Sequence, residues 1–194
     1  MINSHSKSKY QSQFGEDKII EKILDQLNGN IELNNWCCEF GAWDGKYLSN
    51  TYYLIKNKGY KAILIEGDEN KVNDLKKNFN NKDVKVVNSF VTFDGENSLD
   101  NIFLKHDAPK DIDFISIDID GNDYHIFDSL KLFLPKIVCI EYNPYIPNNI
   151  EFIQTKKMSV KQGSSGLSIE KLALSKGYKL LAGTHSNLIF IKKE

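Results

Sequence analysis

Residues 36–45 read WCCEFGAWDG, an apolar run that ends in Glu39, breaks at Gly41 and carries a second glycine at Gly45. A short apolar run of this kind indicates a buried strand. Gly41 allows a sharp turn and a close approach to bare backbone N–H groups, and Gly45 opens the way to a following helix. The stretch therefore predicts a strand that ends at a ligand-binding turn.

The same strand-and-helix alternation continues on both sides of this stretch. Apolar periodicity predicts helices at 17–27, 47–60, 69–79, 98–106, 122–133 and 168–178. Short, nearly continuous apolar runs predict strands at 36–40, 61–68, 84–91, 111–120, 136–144, 178–183 and 187–193. Such strands are buried on both faces, as in a parallel sheet covered by helices. Only residues 184–186 separate the last two strands, so the last strand is predicted to run antiparallel in a hairpin.

Length and composition predict one domain. The chain has 194 residues, of which 41% are hydrophobic, and we expect a single domain over residues 1–194. Within it we expect an N-terminal helical segment at 1–30 and a substrate lid at 144–166, a stretch rich in Pro, Asn, Ser and Gly that is too long for an ordinary connection. No pattern indicates the oligomeric state.

Charge and cysteine usage bound the partners and the compartment. The formal net charge is −1 with acids and bases interspersed, so neither a nucleic acid nor a membrane is an expected partner. Every basic residue is a lysine, which removes the bidentate arginine fork and favours a neutral or weakly anionic acceptor. Three cysteines lie inside apolar runs and read as buried thiols. With no apolar signal region or membrane-length run, the expected location is the cytoplasm.

The spacing of the glycine turn discriminates between cofactors. A dinucleotide-binding turn reads G-x-G-x-x-G, whereas GAWDG lacks the middle glycine and is flanked by Glu39 and Asp44. Carboxylates repel a pyrophosphate but attract a cationic sulfonium and amino group. Glu66 ends the next strand, where an acid accepts hydrogen bonds from a ribose diol. These residues favour S-adenosylmethionine (SAM).

Several motifs in order resemble a known family. EFGAWDG, IEGD, DFISIDIDGND, IEYNP and the terminal GYKLL and NLIFI resemble the class I SAM-dependent methyltransferases, most closely the FkbM type. The resemblance implies a Rossmann-like α/β fold: a seven-stranded, mostly parallel sheet with an antiparallel last strand and helices on both faces. It also implies SAM over the first two strand ends and methyl transfer to oxygen of a sugar or related small metabolite. The chain departs from the family in its length and in a pair of acids, Asp118 and Asp120, where one is usual.

Carried over by position, the resemblance assigns the cofactor residues. They are Glu39, Gly41 and Gly45 for the methionine part, Glu66 for the ribose, Ser89, Phe90 and Val91 for the adenine, and Gln13 and Asp17 near the cofactor.

The fourth and fifth strand ends supply the candidate catalytic groups. Asp118 and Asp120 are two residues apart on a predicted strand and are expected to face the same way. His125 follows and is a candidate general base, although a surface histidine is the alternative interpretation. One hypothesis is that an acid of this pair, in the first place Asp118, joins Glu141 and Asn143 to hold Mg²⁺. The alternatives are carboxylates that bind the cofactor amine, cap the next helix or face water.

The sequence thus predicts a SAM-dependent O-methyltransferase acting on a carbohydrate or related small metabolite. Two other functions stay open. One is a SAM- or nucleoside-binding partner subunit without activity, and the other is a nicotinamide-dependent oxidoreductase, which the missing glycine disfavours.

Overall fold

The computed structural model describes residues 9–193, so the first eight residues of the predicted N-terminal segment lie outside the described residues. Thirteen elements follow one another along this part of the chain. They are α1 (Glu16–Leu27), β1 (Trp36–Phe40), α2 (Tyr52–Lys58), β2 (Lys61–Glu66), α3 (Glu69–Asn78), β3 (Val84–Asn88), α4 (Leu99–Lys105), β4 (Phe114–Ile117), α5 (Asp123–Ser129), β5 (Ile137–Glu141), α6 (Gly166–Ser175), β6 (Tyr178–Gly183) and β7 (Asn187–Lys192).

The strands form one seven-stranded sheet in the order β3-β2-β1-β4-β5-β7-β6. The first five strands are parallel, and β7 runs antiparallel to both β5 and β6. The predicted fold class, including the reversed last strand, is confirmed. The chain changes direction across the sheet between β1 and β4, and ligands bind outside the carboxyl ends of strands at such a point.

Each face of the sheet has its own apolar core, because successive side chains of a strand alternate between the faces. Helices α1, α2 and α3 cover one face, which includes Cys37 and Cys139, and α4, α5 and α6 cover the other, which includes Cys38. All three thiols are free and buried, as predicted.

Two predicted boundaries are wrong in ways that affect the site. Helix α2 begins at Tyr52, because residues 47–51 form a turn instead of the helix start. Strand β4 ends at Ile117, and Asp120 has a left-handed φ of 57°. Asp118 and Asp120 therefore do not share the face of one strand.

The segment between β5 and α6 contains neither helix nor strand. It corresponds to the predicted lid, and residues 144–165 are called the lid below. None of the helices formed by residues 9–193 is long and apolar enough to span a bilayer.

Candidate functional site

Polar side chains line the carboxyl edge of the sheet on the face covered by α1. Strand register places Glu39 beside Ser116 and Ser116 beside Cys139. One step further along the strands, Asp118 and Glu141 follow on the same face, since residues two apart share a face. Glu141 is paired in register with Asn187 of β7. The sheet thus gathers acids and amides from four strands in a single band.

Glu66 supports the turn after β1. Its Oε2 accepts the N–H of Trp43 at 2.8 Å and its Oε1 accepts the N–H of Asp68 at 2.8 Å. A carboxylate offers about four lone-pair sites. One site on each oxygen of Glu66 is therefore left, and the side chain is only half-buried.

Gly41 is required by packing as well as by conformation. It has a φ of +74°, and a Cβ added there would lie 1.8 Å from the carbonyl oxygen of Asp118. Gly45 has a φ of +72°, and a Cβ there would lie 2.4 Å from Leu75 and 2.5 Å from Phe79. The first glycine therefore brings the turn against the end of β4, and the second brings it against α3.

Glu39 holds the segment that was predicted to be helical. Its Oε1 accepts the N–H of Asn50 at 2.7 Å, while its Oε2 accepts the hydroxyls of Ser49 at 2.5 Å and Thr51 at 2.6 Å. Burial raises the pKa of this carboxyl, and the three donors act against that effect. Only 5% of Glu39 is exposed, so this side chain fixes the conformation of residues 49–51 from within the protein interior.

The predicted adenine residues follow β3. Ser89 donates its N–H to the carbonyl of Glu66 at 3.0 Å, which places this segment beside the ribose candidate. Phe90 is 70% exposed and its ring lies against Gly67, where an added Cβ would meet the ring at 2.3 Å. Val91 is buried. Phe90 therefore presents an aromatic face next to Glu66.

The N-terminal candidates differ from each other. Asp17 is buried and accepts from Gln11 N at 2.6 Å and from Ser12 Oγ at 2.6 Å, so its oxygens hold the preceding segment. Gln13 is exposed. The intervening acid, Glu16, was not predicted and is fully buried.

Glu16 joins the start of α1 to the terminal hairpin. It accepts from Thr184 Oγ1 at 2.5 Å and from Asn187 Nδ2 at 3.3 Å. The sequence signal for Glu16 was an acid in the first turn of a predicted helix. Its partners could not be predicted, because they lie at the other end of the chain.

An acid cluster lies at the ends of β4 and β5. Carboxylate oxygens of Asp118, Asp123 and Glu141 all lie within 4.8 Å of one another. Burial, followed by the charge of Asp118, raises the pKa of Asp123 to about 7 and raises that of Glu141 as well. Burial and the nearby Asp120 raise the pKa of Asp118. The three pKa values rise together because the carboxyls are buried side by side.

Asp123 is the member of this cluster that the sequence analysis missed. Its Oδ1 accepts the N–H of Ile119 and its Oδ2 that of Gly121, both at 2.9 Å, so it also fixes the turn after β4. The sequence signal was weak, because an aspartate in a common turn binds the backbone two residues further on, whereas both donors here precede Asp123.

Asp120 and Asn143 are not part of the cluster. The Asp120 carboxylate faces solvent, 3.5 Å from the Nζ of Lys161. Asn143 donates to the carbonyl of Gln162 at 2.8 Å and accepts the N–H of Tyr145 at 2.9 Å. Its side chain therefore fastens the lid, while Asp118 and Glu141 of the predicted magnesium set lie together in the cluster. The magnesium site of Asp118, Glu141 and Asn143 stays a prediction.

His125 also contacts the lid. It is 8% exposed, and its Nε2 lies 2.7 Å from the carbonyl oxygen of Gln154. Since a carbonyl only accepts, Nε2 carries the proton. The ring lies edge-on to Phe93 and Tyr124, with centroids at 5.8 and 5.3 Å. Both interpretations from sequence are therefore altered: this histidine is neither on the surface nor free to act through Nε2.

Gln154 closes the lid on itself. Its Oε1 accepts the N–H groups of Gln162 at 3.0 Å and Gly163 at 2.8 Å. A cavity of about 300 Å³ lies between this part of the lid and the ends of β4 and β5. It is lined by Asp120, Gly121, Asp123, Glu141, Tyr142, Asn143, Pro144, Tyr145, Lys161, Gln162 and Gly163.

A family comparison matches the second half of the chain. Residues 94–180 match the model of the family described as Methyltransferase FkbM domain. The matched stretch contains the acid cluster and the lid, but neither Glu39 nor Glu66. No curated protein matches the chain by sequence.

Solved structures share the fold at low identity. The chain superposes on the citrinin polyketide synthase CMeT domain with a TM-score of 0.54 and 13% identity, over 91% of this chain and 52% of that one. It thus spans about half of that chain. A TehB-like SAM-dependent methyltransferase from Corynebacterium glutamicum gives 0.52 and 13%, over 93% and 88% of the two chains. The glycopeptide N-methyltransferase MtfA complexed with (S)-adenosyl-L-methionine gives 0.50 and 7%, over 100% and 91%.

The chain therefore has the Rossmann-like fold of these class I methyltransferase structures. The number of strands and the reversed last strand are those that the sequence resemblance implied. Residues 94–180, somewhat less than half of the chain, are similar to the FkbM methyltransferase domain.

Proposed function

We propose that this chain, acting as one domain, transfers a methyl group from SAM to a hydroxyl of a carbohydrate or related small metabolite. The observation that carries the cofactor site is the carboxylate of Glu66. Backbone N–H groups occupy one lone pair on each of its oxygens and leave one on each for the two hydroxyls of a ribose.

The aromatic face beside Glu66 supports the same placement. The exposed ring of Phe90 lies one strand end further on, where the adenine that is attached to the ribose would stack. The methionine part then extends over Gly41 toward Asp118, since the turn at Gly41 touches the end of β4.

The acceptor would occupy the cavity under the lid. A volume of about 300 Å³ lies at the low end for small-molecule sites and fits one sugar ring rather than a longer saccharide. Glu141 and Asp123 line it, and Asp118 lies beside them toward the turn at Gly41.

The reaction is an in-line displacement. The acceptor oxygen forms a bond to the methyl carbon, the carbon–sulfur bond breaks, and its electron pair stays on the sulfur, which becomes a neutral thioether. Asp118 is placed to take the hydroxyl proton, because it lies between the turn and the cavity. The lid and the strand ends contribute by orienting the acceptor.

Calorimetric titration with S-adenosylhomocysteine tests the cofactor site. We expect micromolar binding to the native chain. Glu66→Ala should lose one or two charge-assisted hydrogen bonds, about 1.5 to 3 kcal/mol each. Glu69→Ala is the matched control, since Glu69 is an exposed acid nearby in α3. Unchanged affinity in a folded Glu66→Ala variant would show that this carboxylate does not bind the ribose.

Methyl transfer itself is then measured by mass spectrometry with SAM and a panel of monosaccharides and polyols. A methylated product whose new methyl is on oxygen supports the proposal. Binding without transfer to any acceptor would favour the alternative of an inactive binding subunit.

A further inference from the structure

The cavity under the lid has little positive charge of its own. Lys161 is the single basic residue among those that line it, and its Nζ already lies 3.5 Å from Asp120. Among residues 9–193, none of the ion pairs includes Asp118, Asp123 or Glu141. Asp123 and Glu141 therefore line the cavity, with Asp118 beside them, and no cation among residues 9–193 pairs with any of the three.

A buried amide beside these carboxyls lacks a hydrogen-bond donor. Asn187 is 4% exposed and is the register partner of Glu141 on the neighbouring strand, so the two side chains lie side by side on one face. Its Nδ2 donates to Glu16 and Ser186, which fixes the orientation of the amide. Its Oδ1 is buried and has no hydrogen-bond partner within the described residues 9–193.

The carboxyls without a cation and the unpaired amide oxygen both indicate a ligand that is positively charged and donates hydrogen bonds. Burial without a counter-charge raises the pKa of Asp123 and of Glu141 and so favours their protonated forms. Once ionised, both carboxylates and the amide oxygen are acceptors, and a buried acceptor without a donor costs about 1 to 3 kcal/mol. What this end of the cavity lacks is a positively charged group with several N–H donors. An alkylammonium has that charge and three donors.

The wall of the cavity fits the same group. Tyr142 and Tyr145 both line it, and Tyr145 is 88% exposed. Tyrosine rings attract ammonium groups through their negative faces. A sugar ring that carries an amine can therefore place the ammonium on the carboxyls and pack its carbons on the tyrosines.

We propose that the acceptor is an amino sugar, whose ammonium group binds at Glu141 and Asp123 under the lid. This inference rests on the proposed function and narrows it, because the lack of arginine alone favoured a neutral or weakly anionic acceptor. The amine anchors the ring, and a hydroxyl of the same ring receives the methyl group.

The test is a calorimetric titration at saturating S-adenosylhomocysteine with four sugars: glucosamine, galactosamine, N-acetylglucosamine and glucuronate. We expect the two amines to bind about tenfold or more tightly than the acetylated sugar, as for a lost charged hydrogen bond. Glucuronate should bind most weakly. Equal binding of glucosamine and N-acetylglucosamine, or tighter binding of glucuronate, would overturn the proposal.

Three variants separate charge from shape. Glu141→Gln should weaken amine binding about tenfold, whereas Glu151→Gln, an exposed lid acid paired with Lys171, should not change it. Lys161→Ala tests whether the site prefers a positive charge, because removing the one cation that lines the cavity should strengthen amine binding or leave it unchanged. Weaker amine binding in Lys161→Ala, or unchanged binding in Glu141→Gln, contradicts the ammonium site.

The design keeps the two proposals apart. Titration with S-adenosylhomocysteine alone reports on the cofactor site and so on the proposed function. Methyl transfer to neutral sugars with no preference for amines would keep the proposed function and reject the ammonium site.

Discussion

The two halves of the carboxyl edge use their acids differently. At the ends of β1 and β2, Glu39 and Glu66 are each bound by donors of the chain itself, three hydroxyl or amide groups for the first and two backbone amides for the second. At the ends of β4 and β5, Asp118 and Glu141 mainly face other acids. The first pair builds the turns of the site, and the second pair is left for a ligand.

The largest expected effect tests the contact that joins the two halves. Gly41→Ala should destabilise the fold by on the order of 3 kcal/mol or more, because left-handed strain is added to a contact of 1.8 Å with the Asp118 carbonyl. Gly59→Ala is the matched control, with a φ of +72° and nothing within 4 Å, and should cost only about 1 kcal/mol. Chemical denaturation measures both. Equal losses would mean that the two halves are not in close contact.

The next prediction compares one acid from each half. Glu39→Ala should lower the free energy of unfolding by about 2 to 3 kcal/mol, since three buried donors lose their acceptor. Glu141→Gln should leave the ligand-free protein at least as stable, because it removes one of several crowded acids. Urea unfolding midpoints compare the two variants. A loss of stability in Glu141→Gln as large as that in Glu39→Ala would break the comparison.

A smaller effect is expected from pH. The pKa of Asp123 is raised to about 7, against about 3.9 in an unfolded chain, so between these values the folded state holds a proton that the unfolded state has released. Stability in this window therefore falls as pH rises, by less than about 1.4 kcal/mol per pH unit for this group. Urea unfolding at pH 5 and pH 7 measures the slope. Asp123→Asn should flatten it, and an unchanged slope would assign the dependence to other groups.

The fold was predictable because its signals are local. Short apolar runs, helical periodicity and a three-residue connection gave the seven strands, their mostly parallel arrangement and the reversed β7. Element ends were less accurate. Residues 47–51 directly precede α2 and were predicted to be its first turn. Donors of residues 49–51 bind Glu39, and the helix begins only at Tyr52.

The site was predictable as a place and less so as a set of contacts. An acid at a strand end points to the ligand edge, yet its partners depend on distant segments. Asn143 binds Gln162 of the lid, a contact that the sequence spacing did not indicate. Asp123 took its place beside Asp118 because the turn after β4 folds back on it.

The contact of Glu16 with the terminal hairpin bears on synthesis at the ribosome. Thr184 and Asn187 are 168 and 171 residues away from Glu16 along the chain, so this acid is synthesised long before its partners. Until β7 emerges, β5 is also an open sheet edge, and such edges pair with other chains. In a nascent chain such an open edge is prone to aggregation until β7 docks, and that one docking step covers both the edge and the buried acid.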